Sequence, residues 1–259
     1  MNLRRSAGLM LFPLLLTAAA CGKGGSDDAA DRPTGRVSSY VALPARLPAP
    51  GVLVLHSWWG LVPDMKAYAD RLADAGYVAL APDLYGDGST ASTVAEATAL
   101  VAGHDDALLA DRALAALNEL LSRDDVTGAK AAVVGFSLGG GAAATLATQS
   151  APTRVAALVI YYDARPALPW ARLHAPLLSH YAATDAYTDP ADVSGLQAAL
   201  KTSSADSRSY VYRGTRHWFA EPSRPEYRRP QAALALHRTI RLLATQLPTP
   251  GLRPPGGGA

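Results

Sequence analysis

Ala131-Ala-Val-Val-Gly-Phe-Ser137-Leu-Gly-Gly-Gly-Ala142 is an apolar run of strand length that stops at a serine flanked by Gly135 and Gly139. A small-residue helix, Leu138 to Thr148, is expected to follow at once. The pattern is G-x-S-x-G, in which a sharp turn lifts a serine hydroxyl off the end of a sheet strand. Residues two before and two after the serine must be nearly free of side chain, so that strand and helix can approach closely. The helix N-terminus then turns its free N–H groups toward any anion that forms beside the serine. A bare G-x-S-x-G also occurs as a plain Gly-rich turn. Strand before, helix after and Gly140-Gly141 for packing favour the nucleophile.

Outward from that turn, strands and helices alternate. Val37 to Leu43 reads as an edge strand, Val52 to His56 as a buried one and Tyr77 to Ala81 as the next. Asp64 to Ala75 is helical, with Met65, Tyr68 and Leu72 on one face and Gly76 as the stop. Asp106 to Leu121 is periodic through Leu109, Ala113, Ala116 and Leu120. Beyond the elbow come strands at Val155 to Tyr161, Pro176 to Tyr181 and Ser209 to Tyr212. Asp189-Pro190 opens a helix carrying Val193, Leu196 and Leu200 inward. The last helix, Pro230 to Thr245, is expected to bury Ala233, Leu236, Ile240 and Leu243. Such alternation, with apolar strands, predicts a mostly parallel sheet covered by helices on both faces.

The ends of the chain differ in kind. Residues 1–20 pair Arg4 and Arg5 with the apolar run Ala7 to Ala20, shorter than the ~20 residues of a membrane-spanning helix, and predict a signal peptide. Ala18-Ala-Ala-Cys21 resembles a bacterial lipobox with alanine where leucine is usual, so Cys21 is the expected lipidation site and first mature residue. Residues 21–35 then form a flexible tether, 36–247 one domain and 248–259 a Pro/Gly-rich disordered tail. Cys21 is the only cysteine, which excludes an internal disulfide. The chain has 24 basic and 22 acidic residues, and loss of Arg4 and Arg5 leaves them balanced. That balance offers no footing for nucleic acid. An exported monomer on a lipid anchor in a bacterial envelope is expected.

A serine hydroxyl needs a base to take its proton and a third group to orient that base. In enzymes built around such an elbow, the acid and then the histidine lie downstream of it. His217 follows the last strand in Arg213-Gly-Thr-Arg-His-Trp-Phe219, a loop that hangs over the sheet edge. His56 and His104 precede the elbow, and His174, His180 and His237 fit structural or solvated roles. Asp185 lies just beyond the strand Pro176 to Tyr181, whereas Asp189 is a helix cap and Asp163 the runner-up. The expected constellation is Ser137, Asp185 and His217. Oxyanion donors are expected from the backbone N–H of Leu138 and, in the loop His56-Ser-Trp-Trp-Gly60, of Trp58. No His or Cys pair falls at metal-ligand spacing, and no phosphate loop is evident; neither metal nor cofactor is expected.

These segments together resemble the dienelactone hydrolase family. The resemblance rests on His56-Ser-Trp-Trp-Gly60, the run Gly76-Tyr-Val-Ala-Leu-Ala-Pro-Asp-Leu-Tyr-Gly86, the elbow, Tyr161-Tyr162, and the segments around Asp185 and His217, and it covers about Val37 to Leu243. It implies an α/β-hydrolase fold that cleaves esters or lactones through a covalent acyl-enzyme without a cofactor. Well-known members carry cysteine at the position of Ser137 and glutamate at that of Ser57. The two changes are chemically consistent, because a hydroxyl stays protonated until its base acts and needs no second carboxylate to guard it. Members also hold a substrate carboxylate with arginines near the positions of Asp87 and Glu221. Acidic side chains there would repel an anionic lactone, so a neutral substrate is expected. Its apolar or aromatic group would meet a pocket of Ser57, Trp59, Tyr85 and Trp218, beside Trp58. A peptidase or acyltransferase on the same triad, or an idle surface lipoprotein that binds a ligand in the old cleft, are the alternatives.

Overall fold

The computed structural model describes residues 38–249. The signal segment, the tether, Cys21 and the tail beyond Thr249 lie outside them. The strands are β1 (Ser39–Ala42), β2 (Ala49–Leu55), β3 (Val78–Pro82), β4 (Val126–Phe136), β5 (Val155–Tyr161), β6 (Leu177–Ala182) and β7 (Ser207–Tyr212). The helices are α1 (Pro63–Asp74), α2 (Val94–Ala102), α3 (Asp106–Leu121), α4 (Leu138–Thr145), α5 (Pro190–Leu200) and α6 (Arg229–Gln246). The strands form a seven-stranded sheet in the order β1-β3-β2-β4-β5-β6-β7. Only β1 runs antiparallel to its neighbour; every other pairing is parallel.

Period-two alternation divides the core into two layers. Val52 and Val54 of β2, Ala132, Val134 and Phe136 of β4, and Val159 and Tyr161 of β5 face α1 and α6. Leu53 and Leu55, Ala131 and Val133, and Leu158 and Ile160 face α3, α4 and α5. Strands buried on both faces read as continuous apolar runs, which is why their presence was visible in the sequence; β5 matches its expected bounds, whereas β2 and β4 begin earlier, at Ala49 and Val126, where the sequence is less uniformly apolar. Each fully buried Leu or Val contributes roughly 1.5–3 kcal/mol.

Helix ends follow local chemistry. Asp189 accepts a hydrogen bond from Ala191 N (2.8 Å) and caps α5, worth about 1 kcal/mol. Helix α2, which the sequence reading did not assign, opens on a reciprocal capping box between Thr93 and Glu96. Expectation and structure differ in α6. Ala233 is exposed, and Thr239 takes a place in the buried face with Ala235, Leu236 and Leu243. Its hydroxyl can lie there because Tyr161 and His180 hydrogen-bond to it (3.1 Å each). The small-residue helix also changes character: α4 ends at Thr145, and Leu146–Ser150 continues as a wider π-type turn.

Candidate active site

Strand β4 delivers Ser137 at φ 49°, ψ −112°, a backbone conformation that costs a non-glycine residue on the order of 1–3 kcal/mol. Packing holds the turn there. A Cβ on Gly135 would sit 2.2 Å from Gly139 O, and one on Gly139 would sit 2.4 Å from Leu55 O and 2.5 Å from His56 O. Ser137 N donates to Tyr161 O (2.9 Å), which pins the elbow to the end of β5.

Two further loops reach the hydroxyl. His217, on the loop after β7, places Nε2 2.9 Å from Ser137 Oγ. Its Nδ1 lies 2.8 and 2.9 Å from the two oxygens of Asp185, on the loop after β6. A carboxylate only accepts, so the imidazole proton sits on Nδ1 and Nε2 is left as an acceptor for the serine hydroxyl. Burial opposes ionisation of Asp185, but His217 and the N–H groups of Tyr187 and Thr188 outweigh it and hold the carboxyl below its usual range. Asp185, His217 and Ser137, separated in the chain, therefore form one hydrogen-bonded series at the carboxyl edge of the sheet. The runner-up Asp163 makes its ion pair with Arg165 (3.3 Å) and not with His217, and burial raises it to about 6.

Leu138 opens α4 directly after the serine. The loop carrying Trp58 lies against the same helix, since Gly139 N donates to His56 O (3.1 Å). That loop is braced on several sides. His56 Nδ1 is 2.7 Å from Ser57 O and its Nε2 accepts from Leu84 N (2.9 Å), while Tyr85 Oη donates to Trp58 O (2.7 Å). The other histidines stay away from that series. His104 braces Tyr85 O, and His180 is enclosed between Tyr212 and Thr239, where burial pushes it down to about 3.

Several sequence-predicted pocket residues have other surroundings. Ser57, Trp59 and Tyr85 are buried, and Tyr85 packs between His56 and His104 as a strut for the loop. Trp59 lies under the Arg224 guanidinium (4.1 Å). Trp58 and Trp218 do form an aromatic wall, stacked at 5.5 Å, with Trp218 5.0 Å from the His217 ring. The indole N–H groups of Trp58, Trp59 and Trp218 are buried without a partner. The sequence reading missed Tyr187, which is half exposed and packs on His217 (5.0 Å), Trp58 (5.2 Å) and Trp218 (4.8 Å). Its place two residues after Asp185 was the available signal.

Of the two acidic residues expected near substrate, Glu221 is turned away from it. Asp87 is exposed and accepts from Ser89 N (2.9 Å) in its own turn. Glu221 is fully buried, accepting from Ser57 Oγ (2.8 Å) and Tyr162 Oη (2.7 Å). Burial pushes its carboxyl up to about 7, against the lowering effect of those two bonds. A second carboxylate thus reaches Ser57 after all, from the opposite end of the chain. Among the described residues no cluster of three or more His, Cys, Asp or Glu could hold a metal ion.

Residues 37–247 match the family model described as the dienelactone hydrolase family. A Methylorubrum extorquens protein provisionally named carboxymethylenebutenolidase is 29% identical over 210 residues, covering 75% of this chain and 72% of its own. An Aquifex pyrophilus protein, usf, is 45% identical over 53 residues, so the chain spans only 22% of that relative's length. Among solved structures, the dienelactone hydrolase-like promiscuous phosphotriesterase P91 from metagenomic libraries aligns with a TM-score of 0.71 and 27% identity, over 78% of this chain and 88% of P91. The dienelactone hydrolase of Anabaena variabilis aligns with a TM-score of 0.61 and 23% identity over 81% and 91%, a likeness of fold.

Proposed function

This chain belongs to the dienelactone hydrolase family and has its α/β-hydrolase fold, and from that premise we propose that it is a serine hydrolase of carboxylic esters or lactones. The observation that carries the reading is His217 bridging Ser137 Oγ and Asp185 at hydrogen-bond distance on both ring nitrogens. Ser137 Oγ attacks the carbonyl carbon as its proton passes to His217 Nε2. The tetrahedral oxyanion is held by the N–H groups of Leu138 and Trp58 and then collapses. The leaving alkoxide takes the proton from His217, and the acyl group remains on Ser137. Water, deprotonated by the same imidazole, releases the acid. Asp185 stays ionised throughout and stabilises the imidazolium.

Trp58, Trp218 and Tyr187 suit an uncharged acyl or alcohol group with apolar or aromatic surface. Export and lipidation at Cys21 belong to the same proposal, with the domain tethered as a monomer to a bacterial envelope. Turnover of a p-nitrophenyl ester that is abolished by Ser137→Ala in a folded protein supports the mechanism; turnover retained by that variant refutes it. For the anchor, mass spectrometry of the membrane fraction should find an acylated Cys21 at the mature N-terminus. A free thiol there would refute it.

A further inference from the structure

We propose that Glu221 is a positioning residue for acyl transfer, a carboxylate that clamps the loop of the second oxyanion donor to the loop of the base. The inference rests on the reading of Ser137 as nucleophile. Three segments meet at this one group. Ser57, next to Trp58, donates to Oε2; Tyr162, at the end of β5, donates to Oε1; and Glu221 N donates to Trp218 O (2.9 Å), next to His217. Tyr162 is held at φ 41° with its ring 4.7 Å from the His217 ring, so the bond to Glu221 also fixes one wall of the imidazole.

The proton relay through Asp185 and His217 makes no use of this carboxyl. Burying one costs several kcal/mol unless it is well bonded, and an apolar side chain of similar shape would fill a core as well. The contacts nonetheless join the ends of β2, β5 and β7, which carry the donor loop, the wall of the base and the base itself. Asp64 and Arg224 flank Glu221 with opposite effects on its charge. Neither bonds its carboxyl: Asp64 accepts from Ser223 (2.6 Å), and Arg224, whose backbone N donates to Glu221 O (3.1 Å), lays its guanidinium on Trp59. Ser57 and Tyr162 are therefore the groups through which Glu221 acts.

An oxyanion donor acts in the transition state, so loosening its loop should lower kcat and leave KM nearly constant. The test measures kcat and KM on p-nitrophenyl acetate for the parent, Glu221→Gln, Ser57→Ala, the double variant and Tyr162→Phe. Rates are taken per site titrated with a fluorophosphonate. Loss of one oxyanion donor costs about 10²–10³-fold, and a loosened one should cost roughly 10–100-fold in Glu221→Gln. The double variant should be no slower than the slower single, because both changes act on the same Ser57–Glu221 contact. Single variants within twofold of parent, a loss confined to KM, or losses that multiply in the double variant would overturn the clamp. Should Glu221→Gln fail to fold, Ser57→Ala and Tyr162→Phe each remove one bond of the clamp, and unchanged kcat in both overturns it equally. If the parent itself takes up no fluorophosphonate at Ser137, the nucleophile reading fails instead.

Discussion

Asp185→Asn is the perturbation whose sign follows most directly from the hydrogen bonds. Oδ1 of Asp185 accepts from Tyr187 N (2.9 Å) and Thr188 N (3.0 Å), two donors fixed in the backbone. An asparagine must keep its carbonyl oxygen there, which puts its NH₂ where Oδ2 now lies, 2.9 Å from His217 Nδ1. Oδ1 also lies 2.8 Å from Nδ1, but the NH₂ at 2.9 Å would set a second donor against the Nδ1 proton and disfavour that tautomer. The imidazole relieves the conflict by moving its proton from Nδ1 to Nε2, and Nε2–H then points at Ser137 Oγ with no lone pair to take the serine proton. Loss of the correct tautomer costs on the order of 10⁴-fold in kcat, about 5 kcal/mol of barrier. The backbone bonds survive, so the thermal midpoint should move by only a few degrees. Absorbance at p-nitrophenol release gives kcat, and a thermal melt monitored by circular dichroism gives the midpoint. A folded Asp185→Asn protein within tenfold of parent turnover at pH 7 would refute the role assigned to the carboxylate.

Three other outcomes are expected. Gly139→Ala drives a methyl to within 2.4–2.5 Å of the carbonyls of Leu55 and His56, both backbone; it should cost roughly 1–3 kcal/mol of stability and at least tenfold in kcat, and a variant equal to parent in melt and turnover would contradict the close packing. Glu221 has a folded-state pKa of about 7 against an ordinary 4.5, so the folded protein holds a proton that the unfolded chain has already released. Its contribution is therefore fully present below about pH 4.5 and is lost as pH rises toward 7; melts from pH 5 to 8 should show the parent losing stability relative to Glu221→Gln, and a constant gap would refute this. Tyr187→Ala removes aromatic contacts worth about 0.5–1.5 kcal/mol beyond burial, so KM for an aromatic ester should rise roughly 2–10-fold while acetate esters change little; equal effects on both substrates would remove Tyr187 from the pocket.

What was legible in the sequence was local or periodic. The doubly buried strands read as apolar runs, α3 matched its periodicity at both ends, and the elbow declared itself through glycines on either side of Ser137. Asp185 and His217 could be nominated because each follows a recognisable strand. Glu221 could not, since its surroundings are set by Ser57, 164 residues away in the chain. The family resemblance, in which an arginine just after the histidine segment holds a substrate carboxylate, made it look like a substrate-facing acid. Trp59 and Tyr85 are buried, with Trp59 edge-on to Trp58 (5.3 Å) and Trp218 (5.1 Å), and in sequence an aromatic beside such a loop reads the same whether it lines the cleft or backs its wall. In α6 the displaced face turns on Thr239, a polar residue whose burial depends on hydroxyl partners from β5 and β6 that no helical pattern reveals.

The central claim is a covalent bond between substrate and one oxygen atom. The full chain should be mixed with excess p-nitrophenyl ester, quenched in acid during the first turnovers, digested and read by mass spectrometry. The expected result is a burst of p-nitrophenol close to one per chain, with the acyl mass on the peptide containing Ser137 and lost in Ser137→Ala. Steady hydrolysis with no burst and no adduct, or an adduct on another residue that survives Ser137→Ala, would contradict it.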